Sequence, residues 1–456
     1  MHVSFPHIFK RYDIRGIAGE ELSPPLVRAL GQAVGTFLRR RGKVDMVVGR
    51  DGRLSGPAYM EEFVQGALSA GLDVIELGVC PTPLVYFAIH RFQAGGGVAV
   101  TASHNPPRYN GFKVCCGTDS VFDEEIQELR RIVEAEDYDN GAGRRQSREV
   151  IPDYVGYLSA HFGELSSRPK VVIDAGNGTA GLVAPELFRR LKCRVAELYC
   201  NVDGRFPHHE ADPTVEENLA DLIRVVREQR AQLGIAFDGD SDRIGVVDED
   251  GAVVHGDQLL LLYAGQVLAE NPGGTIISEV KSSEVLYDGI RSLGGTALMW
   301  KTGHSLIKAK MKETGAVLAG EMSGHMFFAD RYFGFDDAIY AAGRLLEIID
   351  RTGRSLKELL ADLPRTVNTP EIRVECPESE KSPLVKAVLE HYQPLFDVID
   401  IDGVRVKFPS GWGLVRASNT QPILVLRFEA DSAEHLAAIQ ADMMDTIRRC
   451  REEIQR

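Results

Sequence analysis

Short apolar runs, each closed by a glycine-rich or serine-rich turn and followed by an amphipathic stretch, recur through most of the chain, and no other feature narrows the fold as much. They include VDMVVG before RDGRLSG, GLDVIEL, GGGVAVTAS, KVVIDAG before NGTAG, RVAELY, LGIAFDG and GTIISEV. Between them, stretches such as PAYMEEFVQGALSAG and VEENLADLIRVVREQRA carry apolar residues at helical spacing. Strands alternating with helices are the mark of βαβ units in parallel or mixed sheets, and the repetition predicts three related α/β units. From about residue 365 the pattern changes. There NTPEIRVECP, VIDIDGVRVKFPSGWGLVRAS and PILVLRFEA read as antiparallel strands, and SAEHLAAIQADMMDTIRRCREEI as a closing amphipathic helix.

Polar seams set the expected boundaries. EAEDYDNGAGRRQSREV (134–150) is charged and glycine-bearing and reads as a linker, and an Asp-Gly turn in DEDGAVVHGD (248–257) marks a second seam. The expected organisation is three α/β domains with mixed sheets, residues 1–148, 149–251 and 252–364, and a C-terminal α+β domain, residues 365–456.

A formal net charge of −14 opposes approach to nucleic acid or an anionic membrane, so neither is expected as a partner. An anionic small molecule would need a cleft where Lys and Arg gather against that sign. The most apolar window, LLLLYAGQVLA (259–269), is too short to cross a bilayer, and MHVSFPHIFKRYDIRG has no apolar leader core, so a cytoplasmic protein is expected. Seven cysteines without CxxC spacing argue against a disulfide framework, and Cys115 and Cys116 are expected inside a strand.

Several loops hold chemistry-bearing residues. In VTASHNPPRYNGFK (100–113), Ser103 and His104 follow a buried run, and Asn-Pro-Pro forbids a helix. The expectation is a serine hydroxyl left exposed at a strand end, with His104 pointing away from it as neighbours on an extended segment do. In FDGDSDRIG, Asp238, Asp240 and Asp242 alternate after an apolar run. Three carboxylates so close need a cation, and all-oxygen ligation suits a hard ion such as Mg²⁺. An EF-hand fails because Arg243 stands where its loop needs glycine and both flanks read as strands. Gly176, Gly178 and Gly181 match G-x-G-x-x-G, with Glu197 closing the next strand, so a nicotinamide enzyme competes, although it leaves the other loops unused. GEMSGH (320–325) offers a carboxylate, a hydroxyl and an imidazole to a polyol, and Arg416, Ser418, Asn419 and Thr420 make a phosphate cradle. Taken singly, each loop is more often an ordinary turn, and His304, Lys281 and Lys301 are ordinary structural or surface residues.

In this order, FKRYDIRG, TASHNPPRYNGFK, DGDSDR, WKTGHS, GEMSGH and RASNTQP closely resemble the α-D-phosphohexomutase family, most of all its phosphomannomutase/phosphoglucomutase branch, from about residue 9 to residue 430. The resemblance implies four domains around a central cleft, each giving one loop, with the fourth domain smaller and mobile. It implies that Ser103 is the phosphoserine and that Asp238, Asp240 and Asp242 hold Mg²⁺ against its phosphoryl oxygens. His304 and Lys113 would be proton shuttles, with Arg15 and His104 beside them. Glu321 and Ser323 would grip sugar hydroxyls, and Arg416, Ser418, Asn419 and Thr420 the substrate's phosphate. Tyr12, Arg243, Lys281, Lys301, Gly303 and His325 would complete the lining.

The reaction implied is interconversion of hexose 1-phosphate and hexose 6-phosphate, for mannose, glucose or both, through a glucose or mannose 1,6-bisphosphate that also serves as activator. A monomer or homodimer is expected. Ala102 and Ser241 stand where many relatives have glycine, which bears on loop backbone rather than on ligand atoms. Phosphoglucosamine mutases carry glutamine at the position of Met322 and SGTEP where this chain has SNTQP, so mannose and glucose phosphates are favoured over glucosamine phosphate. A metal-dependent phosphatase using the same serine is the alternative, although it has no use for two sugar-handling loops.

Overall fold

The computed structural model describes residues 6–418 and 422–454, which form four sheets. In the first, strand Asp45–Arg50 lies between parallel neighbours Asp73–Val79 and Gly96–Val100, and Gly96–Val100 turns back antiparallel into Tyr109–Cys116. The second sheet repeats the plan with Lys170–Asp174 central, Arg194–Leu198 and Leu233–Phe237 parallel to it, and Ile244–Asp248 antiparallel to the latter. The third does so with Thr275–Glu279, Thr296–Trp300, Leu318–Gly320 and Met326–Phe328. Three related α/β units are therefore present. In each, a tight turn joins the third strand to the fourth: residues 101–108, 238–243 and 321–325. Three of the loops singled out in the sequence, those with Ser103, Asp238 to Asp242 and Glu321, are these turns.

The third strands of the first two units, Gly96–Val100 and Leu233–Phe237, are buried at every position. Continuous apolar runs belong in strands covered on both faces, and a strand so held positions the turn that follows it. One continuous core runs through all three units, with Val47, Ile173 and Ile276 in their central strands. Part of the expected first linker is itself structured, because Arg145–Ser147 adds an edge strand beside Asp73–Val79. The fourth sheet is antiparallel, and the closing helix Ala433–Ile454 packs Met443 and Ile447 onto it in a separate core. Buried Arg405 ties this unit to the third by donating to the carbonyls of Val280 and Ser282, both at 2.7 Å. No helix among the described residues is long and apolar enough to cross a membrane.

The second and third units meet at a carboxylate. Asp337 caps the helix Ala338–Thr352 by accepting from the Tyr340 amide at 2.9 Å, and it accepts from the hydroxyls of Tyr154 (2.7 Å) and Tyr332 (2.9 Å). Burial outweighs these donors and raises its pKa to about 6. A carboxyl whose pKa is higher in the folded state gives stability that is complete below the unfolded value near 4 and lost as pH rises through about 6. Relative to Asp337→Asn, the wild type is expected to lose about 3 kcal/mol of stability across that window. Thermal midpoints of both proteins measured from pH 4 to pH 7 test this, and a constant difference would count against it.

Candidate active site

A cleft of about 1090 Å³ is lined by all four units: Tyr12 and Ser103 from the first, Arg243 from the second, His304 and Glu321 from the third, Arg416 from the fourth. Lys10, Arg15, Lys113, Lys281, Arg373 and Arg427 line it too, and with Arg243 and Arg416 they slightly outnumber the carboxylates of the wall, such as Asp13, Glu21, Asp212 and Glu371, although the whole chain carries −14. A cleft less negative than the rest of the surface lowers the cost of bringing an anion into it.

Ser103 adopts a left-handed backbone with φ of 51°. Its hydroxyl donates to Asp238 Oδ2 at 2.6 Å and lies 3.2 Å from His104 Nδ1. Gly239 lets the two loops meet, since a Cβ there would fall 2.7 Å from the Ser103 carbonyl oxygen. Arg15 donates to Asn105 Oδ1 at 2.6 Å, steadying the same loop.

In the second unit, Asp238, Asp240 and Asp242 are fully buried and bring carboxylate oxygens within 4.8 Å of one another. Burial, with Asp242 and Asp240 alongside, pushes the Asp238 carboxyl well above the usual range. Burial acts the same way on Asp240, but the Lys113 ammonium, 2.7 Å away, outweighs it and holds that carboxyl below the usual range. Lys113 also pairs with Asp242. Asp240 Oδ1 and Asp242 Oδ1 are buried and accept no hydrogen bond. Such oxygens are costly unless a cation meets them, and an all-oxygen set fits a hard divalent ion. Ser241 takes a φ of 68°, and its hydroxyl lies 3.1 Å from Thr179 Oγ1. A left-handed serine costs about 1 kcal/mol, which this hydrogen bond offsets.

From the third unit, Glu321 accepts from the Gly303 amide at 2.7 Å, and burial raises its pKa. Gly303 must lack a side chain, because a Cβ would lie 2.8 Å from the Tyr12 ring. His304 opens the helix His304–Thr314 and stacks on His325 at 5.4 Å, and burial keeps it neutral by lowering its pKa well below the ordinary value. His325 Nε2 accepts from Arg243 Nε at 3.0 Å, which leaves the ring proton on Nδ1, 3.1 Å from Asp336 Oδ2. The same oxygen lies 3.6 Å from His304 Nδ1, and Lys308 pairs with the other at 2.9 Å. Asp336 thus stands behind both imidazoles, and nothing in GFDDAIY marks it beyond its place before a helix.

Lys281 lines the cleft with its ammonium 3.4 Å from Glu371, and Ser323 lines it beside Glu321. Across it, buried Arg416 pairs with Asp402 at 3.1 Å, and the Ser418 carbonyl accepts from Lys381 at 2.6 Å.

Four family models fall on the chain in order: phosphoglucomutase/phosphomannomutase alpha/beta/alpha domain I on residues 6–140, domain II on 152–251, domain III on 255–367, and the C-terminal domain on 371–446. The chain belongs to the phosphoglucomutase/phosphomannomutase family. Among curated family members, the phosphomannomutase/phosphoglucomutase of Pseudomonas aeruginosa is 46% identical over 434 residues, covering 95% of this chain and 94% of the relative. A phosphoglucomutase of Neisseria gonorrhoeae is 45% identical over 438 residues, covering 95% of each. A crystal structure of a family protein from Burkholderia thailandensis superposes with a TM-score of 0.93 at 42% identity, over 98% of both chains.

Within the family fold, some expectations from the sequence change. Ser103 is 2% exposed rather than open to solvent, because Asp238 of the second unit covers it. His104 does not point away, since the left-handed turn at Ser103 breaks the alternation that an extended segment would impose. Lys301 does not line the cleft. It follows the end of the strand Thr296–Trp300 and lies 6.0 Å from the Trp300 ring. Asn419 and Thr420 lie outside the described residues. The nicotinamide turn is filled by protein: a Cβ on Gly178 would strike the Gly239 carbonyl at 2.8 Å, and one on Gly181 the Cys200 carbonyl at 1.9 Å. Those glycines serve close packing behind the aspartate loop.

Proposed function

We propose that this protein interconverts hexose 1-phosphates and hexose 6-phosphates, of mannose and glucose, by passing a phosphoryl group through Ser103 and a bound hexose 1,6-bisphosphate. The observation that carries the reading is the Ser103 hydroxyl, 2.6 Å from a carboxylate of the aspartate cluster, facing a cleft whose other walls offer sugar and phosphate ligands. A sugar hydroxyl attacks the phosphorylated serine in line, so the site must place that hydroxyl, offset the charge on the phosphoryl oxygens and take one proton. Arg243 and Lys113 supply positive charge. His304, kept neutral with its ring stacked on His325, is the proton acceptor we assign. Asp238, Asp240 and Asp242, with a phosphoryl oxygen on Ser103, would hold Mg²⁺, which when bound neutralises charge on the transferring group.

Glu321 has Oε1 engaged by the Gly303 amide, which fixes the carboxylate and leaves Oε2 for a sugar hydroxyl, with Ser323 alongside. Arg416, Ser418, Asn419 and Thr420 take the phosphate distant from Ser103. The intermediate must turn end for end before its second phosphate reaches the serine, and a cleft of about 1090 Å³, at the upper end of small-molecule sites, gives it room. A site that accepts the sugar in both orientations reads hydroxyls alike from either end, hence its tolerance at C2.

Mannose 1-phosphate with a trace of glucose 1,6-bisphosphate and Mg²⁺ is expected to yield mannose 6-phosphate. Mannose and inorganic phosphate as the main products would replace the reading with that of a phosphatase.

A further inference from the structure

Arg53 is buried to 0% exposure in the turn after the first unit's central strand, and its side chain serves the loop that carries Ser103. Nη1 donates to the carbonyls of Pro106 at 2.7 Å and Tyr109 at 2.9 Å. Nη2 donates to the carbonyls of Ser103 at 2.8 Å and Asn105 at 2.6 Å. Nε donates to Asp51 Oδ2 at 3.0 Å. Each of the guanidinium's N–H groups thus has an acceptor, three of them in the Ser103 loop and one on Tyr109, the first residue of the strand that follows. Asp51 Oδ2 also accepts from the Thr101 hydroxyl at 2.7 Å, and Thr101 Oγ1 accepts from the Ser103 amide at 2.9 Å.

From this geometry we infer that Arg53, with Asp51 and Thr101, is a positioning device that holds Ser103 in its left-handed conformation and so aims the nucleophile. The Ser103 peptide is tied at both ends to one buried ion pair, its N–H through Thr101 and its C=O directly to Arg53. A serine at φ of 51° relaxes toward negative φ when released, and that rotation would swing its hydroxyl off the line to Asp238. Backbone bonds from Thr101 to Gly111 and from Ala18 to Arg108 hold the loop only at its ends, and between them the carbonyls of Ser103, Asn105 and Pro106 rest on the guanidinium. Lysine, with a single ammonium and three donors, could not span four carbonyls. The second unit closes the clamp from behind: Phe206 lies 5.3 Å from the Arg53 guanidinium, and a Cβ on Gly204 would meet the Gly52 carbonyl at 2.3 Å.

The inference rests on Ser103 being the phosphoryl carrier, and the experiment separates the two. Dephosphorylated wild type, Arg53→Lys, Thr101→Val and Thr101→Ser are mixed with glucose 1,6-bisphosphate and Mg²⁺, and the phosphoryl mass on Ser103 is followed with time beside steady-state kinetics and thermal midpoint. Misplacing a reacting group by about 1 Å costs about 100-fold, so Arg53→Lys is expected to slow phosphorylation of Ser103 about 100-fold and Thr101→Val about 10-fold. KM should stay within about 3-fold, because the sugar and phosphate ligands are untouched, and Thr101→Ser should restore the wild-type rate. Thr101→Val removes one small hydroxyl and keeps the ion pair, so it reports even if Arg53→Lys does not fold. A folded Thr101→Val protein that phosphorylates Ser103 at the wild-type rate, or a loss lying wholly in KM, overturns the inference. A wild type that takes up no phosphate overturns the carrier reading instead.

Discussion

Ser103→Ala is expected to lower hexose phosphate interconversion by at least about 10⁴-fold and to abolish the mass increment of one phosphoryl group seen on incubation with glucose 1,6-bisphosphate. His104 Nδ1 lies 3.2 Å from the hydroxyl, but it is the serine oxygen that meets the Asp238 carboxylate, at 2.6 Å. Affinity for hexose phosphate should change little, because Glu321 and Arg416 lie on other units. Deleting the hydroxyl leaves Asp238 short of a donor, a cost of about 1–3 kcal/mol, so the thermal midpoint should fall modestly. Intact mass and a coupled mutase assay decide the matter, and an alanine protein that still turns over at wild-type speed would end the phosphoserine account.

Asp240→Asn comes next in size. In the wild type, a divalent ion present at 100 times its dissociation constant should stabilise the fold by about 2.7 kcal/mol, and a chelator should reverse this and halt turnover. The asparagine protein should lose the response of its thermal midpoint to Mg²⁺ and drop in turnover by about 10³-fold. Its stability without the ion should fall, because the buried Lys113 ammonium loses one of its two carboxylate partners and keeps only Asp242. An Asp240→Asn protein that Mg²⁺ stabilises as much as the wild type would remove this carboxylate from the metal site.

What the sequence made legible was whatever lies close together along the chain. The three aspartates announce a cation because they fall within FDGDSDRIG, and the apolar runs announce strands because both faces of those strands are covered. Arg53 was silent, since four of its five acceptors lie 50 to 56 residues away and are peptide carbonyls, which no side-chain motif records. Asp336 was silent for a similar reason, being defined by His304, Lys308 and His325 rather than by its neighbours. The burial of Ser103 depends on a carboxylate 135 residues further on, so a reading of its own loop could only leave it exposed. Position after a strand was the usable signal: RDGRLSG follows Asp45–Arg50 just as the other chemical turns follow theirs.

The triplicated strand plan has a consequence for how this catalyst can change. Ser103, the three aspartates and Glu321, proposed above as nucleophile, cation ligands and sugar grip, occupy the same turn of three separate copies, each braced by its own sheet. A substitution that reshapes the grip in 321–325 need not disturb the backbone that presents Ser103, because no strand is shared between them. Under that proposal, a change in one copy can alter substrate preference while the turns that carry phosphoryl chemistry in the other two keep their own sheets.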